Sequence, residues 1–133
     1  MAGFSRYLQQ ELLDHVLKTG AFAQPTDVYV ALYSAAPSDI GGGTELSGNA
    51  YARVVCNAWD AATAASPSVA QNTAEIAFPA ATPAAWDEAT HFGLFDANVA
   101  GNLLGWAALT APKTAGIDDV LRFAAGELDV TLD

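Results

Sequence analysis

Val28-Tyr-Val-Ala-Leu-Tyr33, then Ser34-Ala-Ala-Pro37, then Gly41-Gly-Gly-Thr-Glu45 and Tyr51-Ala-Arg53, form the stretch on which the fold turns. Asp27 to Tyr33 is apolar at consecutive positions, as expected of a central strand covered on both sides. Pro37 stops it, because proline cannot donate to a sheet ladder. Residues 37–49 hold Pro37, the glycine run 41–43, Ser47, Gly48 and Asn49, and read as a mobile loop. Tyr51 to Trp59 then alternates. Tyr51, Arg53, Val55, Asn57 and Trp59 share one face, and the smaller Ala52, Val54, Cys56 and Ala58 share the other.

Upstream of this stretch the period is different. Phe4, Leu8, Leu12 and Val16 recur every four residues, with Leu13 and Leu17 widening the stripe, so Ser5 to Lys18 reads as an amphipathic helix. Ser5 is placed to cap it, and Gly20 to end it in a left-handed conformation. Downstream the period stays at two. Residues 60–73 are rich in Ala, Ser and Thr around Pro67 and read as a long loop. Ala74 to Phe78 reads as a short strand, and Pro83 to Glu88 as a turn carrying Trp86. Thr90 to Asp96 and Leu103 to Leu109 form a hairpin through Asn98 to Asn102. Val120 to Phe123 and Leu128 to Leu132 form a second hairpin through Ala124-Ala-Gly126. In the last strand Leu128, Val130 and Leu132 point inward, and Glu127, Asp129, Thr131 and Asp133 outward. One helix (residues 1–20) and seven strands (27–133) predict a single mainly β domain: an antiparallel, jelly-roll-like β-sandwich with one N-terminal amphipathic helix.

Composition narrows function by exclusion. Fifteen acids against five bases give a net charge of −10. Arg6, Lys18, Arg53, Lys113 and Arg122 are scattered, so no basic face can displace counterions from phosphates, which argues against nucleic acid and anionic membranes as partners. No apolar run reaches the ~18 residues of a membrane span, and no leader is legible, so the expected setting is a cytoplasm or a particle assembled in it. Cys56 is the single cysteine, which leaves no intrachain disulfide, and its apolar neighbours suit a small buried hydrophobe.

Sites for chemistry are equally sparse. The Gly41–Gly43 run lacks the Gly-Lys-Ser/Thr ending of a phosphate loop, and Asp39 and Glu45 beside it would repel phosphate. His15 and His91 are far apart in sequence and without a cysteine pair, which does not make a zinc site. The pairs Asp87-Glu88 and Asp118-Asp119 lack the spacing of a calcium loop, and no two of the fifteen acids stand out as a glycosidase pair. The reading is of no enzyme, no cofactor and no metal. Trp59 and Trp86 flank loops and suit either core-edge packing or an interface anchor, whereas Trp106 in Gly105-Trp-Ala-Ala reads as core.

The opening block, His91-Phe-Gly-Leu-Phe-Asp96, Gly101-Asn-Leu-Leu-Gly-Trp106, Leu121-Arg-Phe-Ala-Ala-Gly126 and the Tyr7-Leu…Leu12-Leu13 helix together resemble a family of small bacteriophage virion structural proteins, often labelled tail-fibre proteins. The resemblance implies a non-enzymatic virion component: a small repeated subunit, homo-oligomeric, contacting other virion proteins of the capsid, neck or tail. Capsid decoration, a neck or collar piece and a fibre-attachment module all suit a compact subunit. The rival is a carbohydrate- or receptor-binding module that uses loop aromatics. The expected partner contacts lie in the loops 37–49 and 60–73 and at their edges: Gly41, Gly42, Gly43, Trp59, Pro67 and Trp86.

Overall fold

The computed structural model describes residues 3–132, so Asp133 of the last strand lies outside the described residues. Among the described residues, ten strands and one helix follow one another. The longest strands are β2 (Tyr29–Ala35), β7 (Ala89–Phe95) and β8 (Leu103–Lys113). They form the centre of a six-stranded antiparallel sheet in the order β1-β8-β7-β2-β3, with β1 at Gly3–Phe4 and β3 at Thr44–Glu45. A further strand, β4 (Val54–Val55), pairs with the start of β2 along the same edge that β3 continues. Two small antiparallel sheets face this one: β5 (Ser68–Gln71) with β10 (Asp129–Leu132), and β6 (Ile76–Ala77) with β9 (Arg122–Phe123). The result is the expected mainly β, sandwich-like architecture with one helix near the N-terminus.

The core fills the space between these layers. Val30, Leu32, Phe92 and Leu94 project from the large sheet toward Ile76, Phe78, Phe123 and Leu128 from the opposite side. Tyr51, Phe78, Trp86 and Phe123 form a chain of ring contacts, with Trp86 edge-on to Tyr51 at 5.4 Å and Phe78 edge-on to Phe123 at 6.1 Å. Such arrangements satisfy the ring quadrupoles as well as excluding water.

The strand β2 stands where the consecutive apolar positions put it, and the β7–β8 hairpin where the Asn98–Asn102 loop put it, with β8 running on past Leu109 to Lys113. The helix, α1, runs Arg6–Val16, and Ser5 caps it by accepting from the Leu8 N–H at 3.1 Å. Its end is set differently from expectation. Lys18, at φ +63°, is the left-handed residue, and Thr19 N–H donates to Asp14 O at 2.9 Å. This is a Schellman closure whose left-handed residue lies two positions before Gly20. The apolar stripe is also only partly used: Leu8 is buried, while Leu13, Val16 and Leu17 stay exposed.

Four other expectations need correction. The alternating Tyr51–Trp59 run is not one continuous strand: Val54–Val55 pair with β2, Cys56 N–H donates to Val28 O at 2.8 Å and Val28 N–H to Asn57 Oδ1 at 2.9 Å, and Trp59 then turns to bridge Asn72. Residues 60–73 are not all loop, since β5 lies within them and pairs with the last strand. The loop 37–49 carries β3 and a bridge between Ser38 and Gly41, so it has hydrogen-bonded structure of its own. The second hairpin does not form. A turn is present, with Glu127 N–H donating to Ala124 O at 3.1 Å, but β9 leaves for β6 and β10 leaves for β5. Asn72 directs that divergence. Its Nδ2 donates to Ala74 O and Ala124 O, and its Oδ1 accepts from Leu128 N–H at 2.9 Å. Leu128, just before β10, is buried as expected, whereas Leu132 at the end of β10 is exposed.

Candidate functional site

The six-stranded sheet is apolar on both faces. The outer one carries a second cluster of Ala31, Tyr33, Phe95, Leu103 and Trp106, with Tyr29 packed beside it. Among the described residues, no layer of strands covers this face. Two loops lie over it instead, residues 37–43 and 97–102, and between them is a cleft of about 500 Å³. Arg6 and Tyr7 at the start of α1 close one end of the cleft.

Each wall depends on a glycine. Gly43 sits at φ +72°, and a Cβ there would lie 2.7 Å from Ala35 O and from Pro37 N. Gly101, at φ +74°, would place a Cβ 2.6 Å from Asp96 Oδ1. Only glycine adopts such backbone without strain and leaves this room. Asp96 then secures the second wall, accepting from Asn102 N–H at 2.7 Å and from Asn102 Nδ2 at 2.9 Å. The first wall is tied to the helix, where Arg6 N–H donates to Asp39 O at 2.8 Å.

The floor is built by Arg53. Its guanidinium lies 3.6 Å above the Phe95 ring and is gripped by the Glu45 carboxylate. Its Nη1 donates to Ala97 O at 3.0 Å and to Ala100 O at 2.8 Å, so one side chain joins β3, β4's approach and the 97–102 wall. Burial works against the charge on Arg53, but the Glu45 hydrogen bonds and negative charge outweigh it and hold the guanidinium above its usual pKa. Tyr51 donates to the same carboxylate at 3.0 Å and accepts from Leu32 N–H at 3.0 Å.

The Tyr33 hydroxyl differs from that of Tyr51 in having no hydrogen-bond partner among the described residues. Tyr33 is 4% exposed and stands directly across the ladder from Glu45. Burial, and then the charge of Glu45, push its pKa up to about 12. The one side-chain donor that is both sealed and unpartnered among the described residues is Trp106 Nε1. The Tyr33 hydroxyl therefore opens into the cleft that Tyr33 lines.

The sequence-expected contact residues are not brought together. Gly41, Gly42 and Gly43 line this cleft. Trp59 lies elsewhere, half-buried beside a separate apolar groove of about 230 Å³ with Phe4, Leu8 and Val130, its Nε1 donating to Cys56 O at 2.8 Å. Pro67 is exposed in the turn before β5. Trp86 is in the core with its Nε1 donating to Asn49 O at 2.8 Å, so it presents no surface to a partner. The reading of residues one by one missed Tyr33, Glu45 and Arg53, although all three stand in the opening block. The available signal was Arg53 itself, a lone cation in a strand-like run two residues after Tyr51.

Among the described residues, no three His, Cys, Asp or Glu side chains are grouped to hold a metal ion, and no helix is long and apolar enough to cross a membrane. No curated protein matches the chain. A family model does, over residues 3–131, which takes in the whole of the large sheet, both small sheets and the cleft. By that match the chain belongs to the family of the podophage GP4 fiber I protein gp80.

Proposed function

We propose that this protein is a non-enzymatic structural subunit of a podophage virion, repeated by symmetry and located in the fibre, where it serves as an attachment module. The observation that carries the proposal is the extent of the family match. It spans the sandwich from β1 almost to the end of β10, so the fibre-family character belongs to the domain itself and not to a short shared motif. The apolar groove beside Trp59 and the exposed Leu13, Val16 and Leu17 of α1 support it, since a neighbouring virion protein would bury surface that the chain leaves open. Assembly takes place in the host cytoplasm, with other virion proteins as partners.

Copy number per particle tests this reading. Quantitative mass spectrometry of purified virions is expected to give a small multiple of the tail symmetry, on the order of a dozen to a few dozen copies. Hundreds of copies would overturn the fibre location in favour of capsid decoration. Hydrogen exchange adds the contact surface: loops 37–49 and 60–73 are expected to gain protection in particles relative to free protein, and equal protection would remove them as contacts.

The alternative of a carbohydrate- or receptor-binding module built on loop aromatics is weakened at the residues first considered, because Trp86 is interior and the indole N–H of Trp59 is already bonded.

A further inference from the structure

We propose that the outer-face cleft is a binding site for a neutral saccharide. The argument starts from the polar groups that the fold leaves unused. Arg53 is spent: its Nε and Nη2 face Glu45, and its Nη1 faces two backbone carbonyls. The Tyr33 hydroxyl is unspent, on a side chain more than nine-tenths buried, and it opens into the cleft. The carboxylate of Glu45, its cross-strand neighbour, is partly exposed and has acceptor capacity beyond its three bonds. A ligand that fits both must accept from a phenol and donate to a carboxylate side by side. An alcohol hydroxyl does both with one atom.

The charges of the lining favour a neutral molecule. Arg6 and Arg53 stand against Asp39 and Glu45. An anionic ligand would meet two carboxylates while the one buried guanidinium is already paired, and a cationic ligand would meet two arginines. The Tyr7 ring, 36% exposed at the mouth, offers an apolar face to the C–H side of a sugar ring. At about 500 Å³ the cleft falls within the range of small-ligand sites, roughly 300–1,000 Å³. The site is independent of the virion role, because a structural subunit needs no such cleft to be assembled.

The experiment is an amide-resolved NMR titration of the full chain with methyl glycosides of glucose, galactose, mannose, rhamnose and N-acetylglucosamine, and with galacturonate as the charged control. At least one neutral glycoside is expected to shift the amides of Tyr33, Gly41 to Gly43 and Asn102, and galacturonate to bind more weakly. Tyr33→Phe removes only an unbonded hydroxyl, so its melting temperature should equal that of the parent while its affinity falls about fivefold or more, the worth of one lost hydrogen bond. Tyr7→Ala, on an exposed helix position, should weaken binding without unfolding the chain. No shift with any neutral glycoside, shifts that map outside the cleft, tighter binding of galacturonate, or unchanged affinity in both variants would each overturn the proposal. None of these results bears on copy number, so the fibre reading stands or falls separately.

Discussion

Arg53 and Glu45 meet as two parallel forks: Nε donates to Oε1 and Nη2 to Oε2, each at 2.8 Å, with the Arg53 side chain 9% exposed. Planar bidentate geometry of this kind is available to arginine and not to lysine. Arg53→Ala leaves Glu45 in a part-buried place without its counter-charge and frees two carbonyls of the 97–102 wall, and it is expected to cost about 3 kcal/mol in urea unfolding. Arg53→Lys should recover less than half of that. A loss below about 0.5 kcal/mol for Arg53→Ala would mean that the pair behaves as a surface ion pair and does not hold the wall.

Alkaline pH should release the same region. The pKa of Tyr33 is raised from 10.0 to about 12, chiefly by burial, and that of Tyr51 is raised further by the same cause. A raised folded value means that the neutral phenols favour the fold fully below pH 10 and that this contribution is lost as pH rises through the folded values. Stability is therefore expected to be flat approaching pH 10 and to fall steeply above it, with the ionisation of Tyr33 and Tyr51 appearing together with unfolding. Ionisation of Tyr33 and Tyr51 near pH 10 in the folded protein would contradict this.

Trp86 was a candidate contact and is a core residue, and a substitution separates the two roles. Its ring lies against Tyr51 and Phe78, and its Nε1 reaches Asn49 O. Trp86→Ala should destabilise the free protein by about 3–5 kcal/mol, the range for large aromatic truncations in cores. A partner-contact role would leave the melting temperature of the free chain nearly unchanged.

Asn72, 1% exposed, uses its amide to hold Ala124 O and Leu128 N–H at the two ends of the 124–127 turn, and Ala74 O beside it. Asn72→Leu keeps much of the volume and strands those groups. A cost of about 3 kcal/mol is expected from thermal melts, and Asn72→Asp should rescue little, because a carboxylate cannot donate to Ala74 O or Ala124 O.

Glu127 gives the chain its clearest acid dependence. Partial burial works to raise its pKa, but the Lys113 ammonium at 2.6 Å and the Ala124 N–H at 2.8 Å outweigh it and lower the value below 4.5. A lowered folded value contributes stability above the unfolded value that is lost as pH falls through the folded one. The parent should thus melt higher than Glu127→Gln near neutrality, and the gap should close below pH 4.5. A gap that widens on acidification would refute the assignment.

Much of the fold could be read from local patterns, and its failures share a cause. Tyr29–Ala35 and the β7–β8 hairpin are long, and their partners are adjacent in the chain or dictated by burial on both faces. The C-terminal hairpin had the right turn residues and alternation. Nothing local reveals that Asn72, more than fifty positions away, would bond to Leu128 and Ala124 and split the two strands between different partners. The same holds for the cleft. Gly41–Gly43 were visible as a glycine run, but Tyr33, Glu45 and Arg53 become a site only when the ladder sets Tyr33 opposite Glu45 and the 97–102 turn comes within reach of Arg53. A pairing made by a side chain across the fold leaves no periodicity to detect.

The outer face of the large sheet, roofed by loops where another layer could have been, makes the molecule modular. The inner core between the sheets fixes the scaffold, while residues 37–43 and 97–102 rest on a prebuilt apolar platform of Tyr33, Phe95, Leu103 and Trp106. With Gly41–Gly43, Gly101 and the Arg53 clasp kept in place, the intervening positions 39, 40, 98 and 99 are free to change shape and charge without disturbing the platform. The roof can be rewritten, and what the protein recognises can change with it, while the scaffold beneath folds as before.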